Sequence, residues 1–124
     1  MAEYELFPHP SEQGIRGYGE TLEESFQEIA KALQSVMTDP EKINPEEEKK
    51  IELESEDKES MLVKWLNELL YVFDVEKLVF NEFDVDIEGK KLKATVRGEK
   101  FNPDKHESRT QIKAVTYNEL KIKR

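Results

Sequence analysis

Cysteine is absent from this chain, which closes off disulfides, thiolate metal centres and cysteine nucleophiles. Histidine occurs only at His9 and His106, so a three-histidine zinc centre is excluded, and any nucleophile–histidine–acid arrangement would have to be assembled across distant loops. Long apolar runs are missing too. The longest, Leu69 to Phe73 (LLYVF), is far too short to cross a bilayer, and the opening MAEYELFPHP lacks the basic and apolar regions of a secretory signal. No membrane association and a cytoplasmic location are therefore expected. Glycine is scarce, and Gly14, Gly17 and Gly19 lack the lysine and spacing of a phosphate-binding loop and the strand context of a dinucleotide fold. Taken alone, the residues indicate no enzyme.

What the chain has in abundance is charge. At 38% charged residues and a net charge of −9, it is a poor general ligand for nucleic acid, whose phosphates recruit clustered lysine and arginine. The average hides a division: residues 1–88 carry 24 acids and 8 bases, whereas residues 89–124 carry 11 bases and 4 acids. Such asymmetry can steer a partner, but a basic strand pair neutralising an acidic helix layer on folding is the simpler explanation. The 124 residues suffice for a single domain with one hydrophobic core.

Periodicity outlines that domain. Tyr4 to Phe7 reads as a short strand stopped by Pro8 and Pro10, and Ile15 to Tyr18 as a second. Thr21 and Glu24 form a capping box opening a helix whose apolar stripe is Leu22, Phe26, Ile29, Ala30, Leu33, Val36 and Met37, ended by Pro40. After the acidic connection Asp39 to Glu48, Lys49, Ile51 and Leu53 alternate with Lys50, Glu52 and Glu54 as a strand. Asp57 is the N-cap of a second helix with Met61, Leu62, Trp65, Leu66, Leu69, Leu70 and Phe73 on its apolar face; helical spacing assigns Trp65 to packing rather than to a stacking platform.

The period then becomes two. Phe83, Val85 and Ile87 oppose Asp84, Asp86 and Glu88; a turn follows at Glu88-Gly89-Lys90; Leu92, Ala94 and Val96 oppose Lys93, Thr95 and Arg97. Ion pairs across this hairpin would absorb much of the charge pattern. Phe101 to Arg109 reads as a polar loop, and Gln111 to Lys123 as extended structure running to the chain end. The fold class is α+β, with two amphipathic helices packed on one face of a mainly antiparallel sheet.

Two groups of acids merit weighing. Asp84, Asp86 and Glu88 share a strand face, but residues two apart stand about 7 Å apart along it, too far for all three to grip one ion unaided. The polar turn PHPSEQ is a second candidate: Glu12 lies close to the first helix, and His9 could orient it or share a ligand. From these residues alone, the turn is either a surface corner or one wall of a site.

The run HPSEQGIRGYGETLEESF resembles the N-terminal signature of the archease family. The segments VMTDPEKINPEE, LVKWLNELLYVFDVEKLVF, GEKFNPDKHE and IKAVTYNELKI are similar to archease segments in the same order and spacing, over nearly the whole chain. The resemblance implies a small accessory protein, not a stand-alone enzyme, that assists the RNA ligase of tRNA splicing by promoting its guanylylation and multiple turnover. It also implies a divalent cation, commonly calcium, held between the N-terminal turn and acidic groups near the C-terminus. Carried onto this sequence, Glu12 stands at the turn's metal ligand, and Lys113, together with His9, at positions implied to activate the ligase. Glu12 is one methylene longer than the usual aspartate, Gln13 replaces an apolar residue and Asn118 replaces a histidine. The family pattern runs beyond the KIKR position to a final strand with an acidic ligand, whereas this sequence stops at Arg124. Weak or incomplete cation binding is therefore expected, together with an open edge at Val115 to Lys123 through which copies could associate. A chaperone or specificity factor for a tRNA cytosine methyltransferase is the alternative function; a metal-dependent phosphohydrolase would need ligands the sequence does not supply.

Overall fold

The structure, a computed structural model, describes residues 19–108 in full and the backbone of residues 3–8, 12–18, 114–115 and 121–123. In chain order the elements are β1 (Glu3–Pro8), β2 (Glu12–Tyr18), α1 (Leu22–Met37), a single 3-10 turn (Pro40–Lys42), β3 (Glu47–Glu54), α2 (Lys58–Glu76), β4 (Leu78–Glu88), β5 (Lys91–Lys100), β6 (Ala114–Val115) and β7 (Lys121–Lys123). The strands form two antiparallel sheets, β1-β2-β7-β6 and β3-β5-β4. The α+β class stands as expected, but there are two sheets where periodicity suggested one. Each helix touches both: α1 contacts β1, β2 and β4, and α2 contacts β3, β4 and β6.

Local chemistry sets the helix boundaries. The Thr21 side chain accepts from the Glu24 N–H at 3.1 Å, while Glu24 reaches back to the Glu20 N–H at 2.9 Å, one residue further upstream than a capping box requires. Asp57 caps α2 by accepting from the Ser60 N–H at 2.7 Å, as its position in the sequence predicts. Because α1 lies against two sheets, burial extends beyond its apolar stripe: Ala32, Glu28, Gln34 and Ser35 are buried as well as Phe26, Ile29, Ala30, Leu33 and Val36, whereas Leu22 at the helix start is exposed. Trp65 is fully buried and donates from Nε1 to the Phe26 carbonyl at 3.1 Å, tying α2 to α1. Its ring meets Phe83 of β4 edge-on with centroids 6.3 Å apart.

The β4–β5 hairpin turns at Gly89, whose φ of +62° is open to glycine without strain. Nearer the other end a register shift between Phe80 and Glu82 interrupts the pairing. Opposite it a Cβ on Gly98 would lie 1.7 Å from the Val79 carbonyl oxygen, so only glycine fits there. Asn81, within the irregularity, uses its side-chain amide to hold the Ile43 carbonyl and so fastens the connection after α1.

β4 is an edge strand, and α1 covers its backbone donors with side chains. Gln34 Oε1 accepts from the Phe80 N–H at 3.0 Å, Gln27 Oε1 from the Val85 N–H at 3.0 Å and Glu23 Oε2 from the Ile87 N–H at 3.5 Å. Leaving such donors bare would invite pairing with another chain.

The charge division also has a structural reason. Basic β5 is the middle strand of its sheet, and its bases turn mainly to β3 rather than to β4. Lys91 lies 3.6 Å from Glu54, Lys93 3.9 Å from Glu52 and Arg97 3.1 Å from Glu48; among the described residues Arg97 alone of these also reaches β4, at Glu82, 3.7 Å away. The sequence-level expectation of pairing within the hairpin is corrected to a strand some forty residues earlier. Exposed pairs of this kind stabilise by at most about 1 kcal/mol each.

The C-terminal region departs from the sequence reading as well. Instead of one strand from Val115 to Lys123, the chain reverses: Ala114 pairs with Lys123 and Val115 with Ile122. Alternation cannot distinguish one long strand from a hairpin whose two arms keep the same period. β7 lies between β2 and β6, so it is not an edge, and among the described residues the edges of this sheet are β1 and two-residue β6.

Candidate functional site

The polar turn singled out in the sequence connects β1 to β2, and Glu12 is the first residue of β2 rather than part of the turn. Its partner across the ladder is Lys123 of β7, and Lys123 in turn is aligned with Ala114 of β6. Glu12, Lys123 and Ala114 thus occupy one row, in which the Cα positions of Glu12 and Ala114 lie about 10 Å apart, two strand spacings. Lys113 immediately precedes Ala114, and Pro8, the last residue of β1, pairs with Gln13. His9 and Lys113 themselves lie outside the described residues. The described backbone nevertheless brings the chain on either side of the turn and the start of β6 to one end of one sheet, although a hundred residues separate them in sequence.

The same row bears on the expected cation. A hard ion takes several oxygen ligands, and the backbone register places a lysine, Lys123, opposite Glu12. Among the described residues no three of histidine, aspartate and glutamate gather as a metal site. Asp84, Asp86 and Glu88 are exposed along β4, as a solvated face would be.

A second cluster, which periodicity missed, lies where β5 ends. Glu99 is 9% exposed and His106 1%. Three donors converge on Glu99 Oε2: the Asn44 N–H at 2.8 Å, Lys105 Nζ at 2.7 Å and His106 Nε2 at 3.0 Å. His106 Nδ1 accepts from the Asn102 N–H at 2.8 Å, so the proton of the neutral ring resides on Nε2, facing the carboxylate. Burial alone would raise the Glu99 carboxyl, but the hydrogen bonds from Lys105, Asn44 and His106, with the Lys105 charge, outweigh it and hold the group down at about 2. Phe101 completes the cluster, with its ring centroid 5.6 Å from that of His106 and 5.7 Å from that of Phe73 on α2.

Alternation along β5 assigns Glu99 to the wet face with Lys93 and Arg97, and the following loop reads as merely polar. The available signal was the pair of Asn-Pro steps, Asn44-Pro45 and Asn102-Pro103, which the fold brings to the same carboxylate directly and through His106.

Comparison with known proteins bears on the whole chain. The model of the Archease protein family (MTH1598/TM1083) matches residues 4–124. A protein archease of Pyrococcus furiosus is 48% identical over 100% of this chain and 90% of its own length. One from Methanosarcina mazei is 44% identical over 98% of this chain and 86% of its own. The solution structure of Methanobacterium thermoautotrophicum protein 1598 superposes with a TM-score of 0.82 at 36% identity, covering 97% of this chain and 94% of that one.

Proposed function

This chain belongs to the archease family, and on that premise we propose that it is a non-catalytic activator of the RNA ligase of tRNA splicing, promoting guanylylation and repeated turnover. The observation that carries the reading is the convergence of Glu12, Lys123 and the start of β6 at one end of the four-stranded sheet. In the register of that end an acidic position faces a basic one, and the end is adjoined in sequence by His9 on one side and Lys113 on the other. A patch of opposed charges contacts a protein partner by pairing with its complementary groups, which orients the encounter more than it tightens it. Lys113, a compact flexible cation, is suited to engage an anionic group of the ligase or of its nucleotide. tRNA is approached through the ligase, in keeping with the acidic net charge. Were a divalent cation weakly held here, Glu12 would supply one oxygen, calcium being an ion of suitable hardness.

The test is a ligation assay with limiting ligase, guanosine triphosphate and split tRNA, run with the wild-type chain and with Glu12→Ala, His9→Ala and Lys113→Ala. Multiple turnover that depends on the wild type and drops with Lys113→Ala and Glu12→Ala supports the reading. No stimulation by the wild type, alongside sharpened selectivity of a tRNA cytosine methyltransferase, replaces it with the chaperone role. Phosphoester hydrolysis by the protein alone, lost with Glu12→Ala, overturns the non-catalytic assignment.

A further inference from the structure

β5 ends in one sheet, and the next strand, β6, belongs to the other. The chain between them is secured at its outset with unusual thoroughness. The Phe101 N–H donates to the Lys77 carbonyl at 2.7 Å, and Lys77 closes α2 in a left-handed conformation with φ of 58°. Lys100 Nζ holds the Glu76 carbonyl at 2.9 Å, so two adjacent residues are pinned to one helix end. The ring of Phe101 is caught between Phe73 and His106. The Asn102 carbonyl accepts from the His106 N–H at 2.6 Å, and the Asn102 N–H donates into the His106 ring, so the loop closes on itself around the imidazole. Glu99 then locks the ring in place and, with the same oxygen, holds the Asn44 N–H from the connection after α1.

The geometry points to Glu99, acting through His106, as a positioning residue: it fixes the point and direction from which the chain leaves the three-stranded sheet, and so where β6 joins the row that contains Glu12. Its consequence for ligation rests on the ligase-activator reading; its consequence for the strands does not. From His106 the chain has eight residues to reach Ala114, a span of at most about 29 Å when extended, which bounds how far β6 can lie from the departure point. α2 is the common support, since it carries both Phe73 and Lys77 and also touches β6. None of these contacts lies in the β4–β5 ladder, so loosening them leaves that hairpin paired.

The experiment compares the full-length wild type with Glu99→Ala, Glu99→Gln and Lys105→Met by amide hydrogen exchange and by ligation turnover. Glu99→Ala should speed exchange at Ala114, Val115 and Lys121 to Lys123 by about tenfold or more, with residues 92–96 unchanged, the pattern of a local opening rather than a global one. Ligase stimulation should fall about tenfold, within the range that small misplacements produce. Glu99→Gln should shift both in the same direction by less than Glu99→Ala, because its carbonyl oxygen still accepts from Asn44 and His106. Lys105→Met, which removes one half-exposed donor, should shift both in the same direction by less and covers the case in which Glu99→Ala does not fold. Unchanged exchange in β6 and β7, or faster exchange spread evenly over the chain, overturns the proposal. If the wild type stimulates no ligation, the ligase reading fails, while the exchange pattern still decides whether Glu99 positions β6.

Discussion

Replacing Glu99 with glutamine removes a charge while keeping the side chain's shape and one carbonyl acceptor, so it isolates what ionisation contributes to stability. The Glu99 carboxyl is held at about 2, against an ordinary value of 4.5. At about 1.4 kcal/mol per pH unit the shift corresponds to about 3 kcal/mol. That figure is an upper bound, because the Lys105 side chain, which supplies a hydrogen bond and the nearest positive charge, is 37% exposed and water screens it. A contribution of about 1–2 kcal/mol is the reasoned value. The folded-state pKa lies below the unfolded one, so the folded protein binds fewer protons. The contribution is therefore complete above about pH 4.5 and is lost as pH falls towards 2, with less than half left by about pH 3. Trp65, the one tryptophan and fully buried, reports unfolding directly. Urea titrations followed by its emission should find Glu99→Gln less stable than wild type by about 1–2 kcal/mol at pH 7, with the gap shrinking steadily between pH 5 and pH 3. A gap at pH 3 as large as that at pH 7 would refute the argument, since it would mean that the cost comes from the introduced amide group and not from the lost charge.

Three further outcomes follow from contacts elsewhere. Trp65→Phe should cost about 2–3 kcal/mol, combining a lost buried hydrogen bond with a small cavity, and thermal melts should record it with no loss of helix signal in the folded state. Gly98→Ala should be far more damaging than Gly89→Ala: the first drives a methyl into the Val79 carbonyl, whereas the second has open space and only an unfavourable φ, costing about 1 kcal/mol. Soluble yield and melting temperature separate the two. Calorimetric titration with calcium should show weak binding that Glu12→Ala abolishes; tight, stoichiometric binding to a monomer would contradict the lysine-opposed geometry described for Glu12.

Much of this architecture could be read from local pattern because local chemistry determines it. The caps at Thr21 and Asp57, the inward row Leu92, Ala94 and Val96, and the core role of Trp65 all depend on residues within a turn or two of one another. What escaped was non-local. The preference of Lys91, Lys93 and Arg97 for β3 depends on strand order, which no window of sequence contains. The reversal between β6 and β7 preserves the alternation on which a strand is recognised. Glu99 and His106 are buried because a loop folds over a position that alternation assigns to water. Of the candidate site, Glu12 was placed at the right end of the chain but in the wrong element, a turn instead of a strand. The alignment of Glu12, Lys123 and Ala114 in one row depends on strand order, which no pattern in the residues themselves contains.

The covering of β4 by Gln27 and Gln34 through their amide oxygens has a bearing on chemical ageing. Glutamine side chains hydrolyse slowly to glutamate, a reaction hastened by heat, and the product keeps an oxygen where the old one stood. At half-buried Gln27 the converted side chain would go on accepting from Val85, much as Glu23 already does from Ile87 one turn away. At Gln34, 6% exposed, the same conversion would strand a carboxylate in the interior, so wear at these two neighbouring positions would have opposite consequences for the lifetime of the molecule.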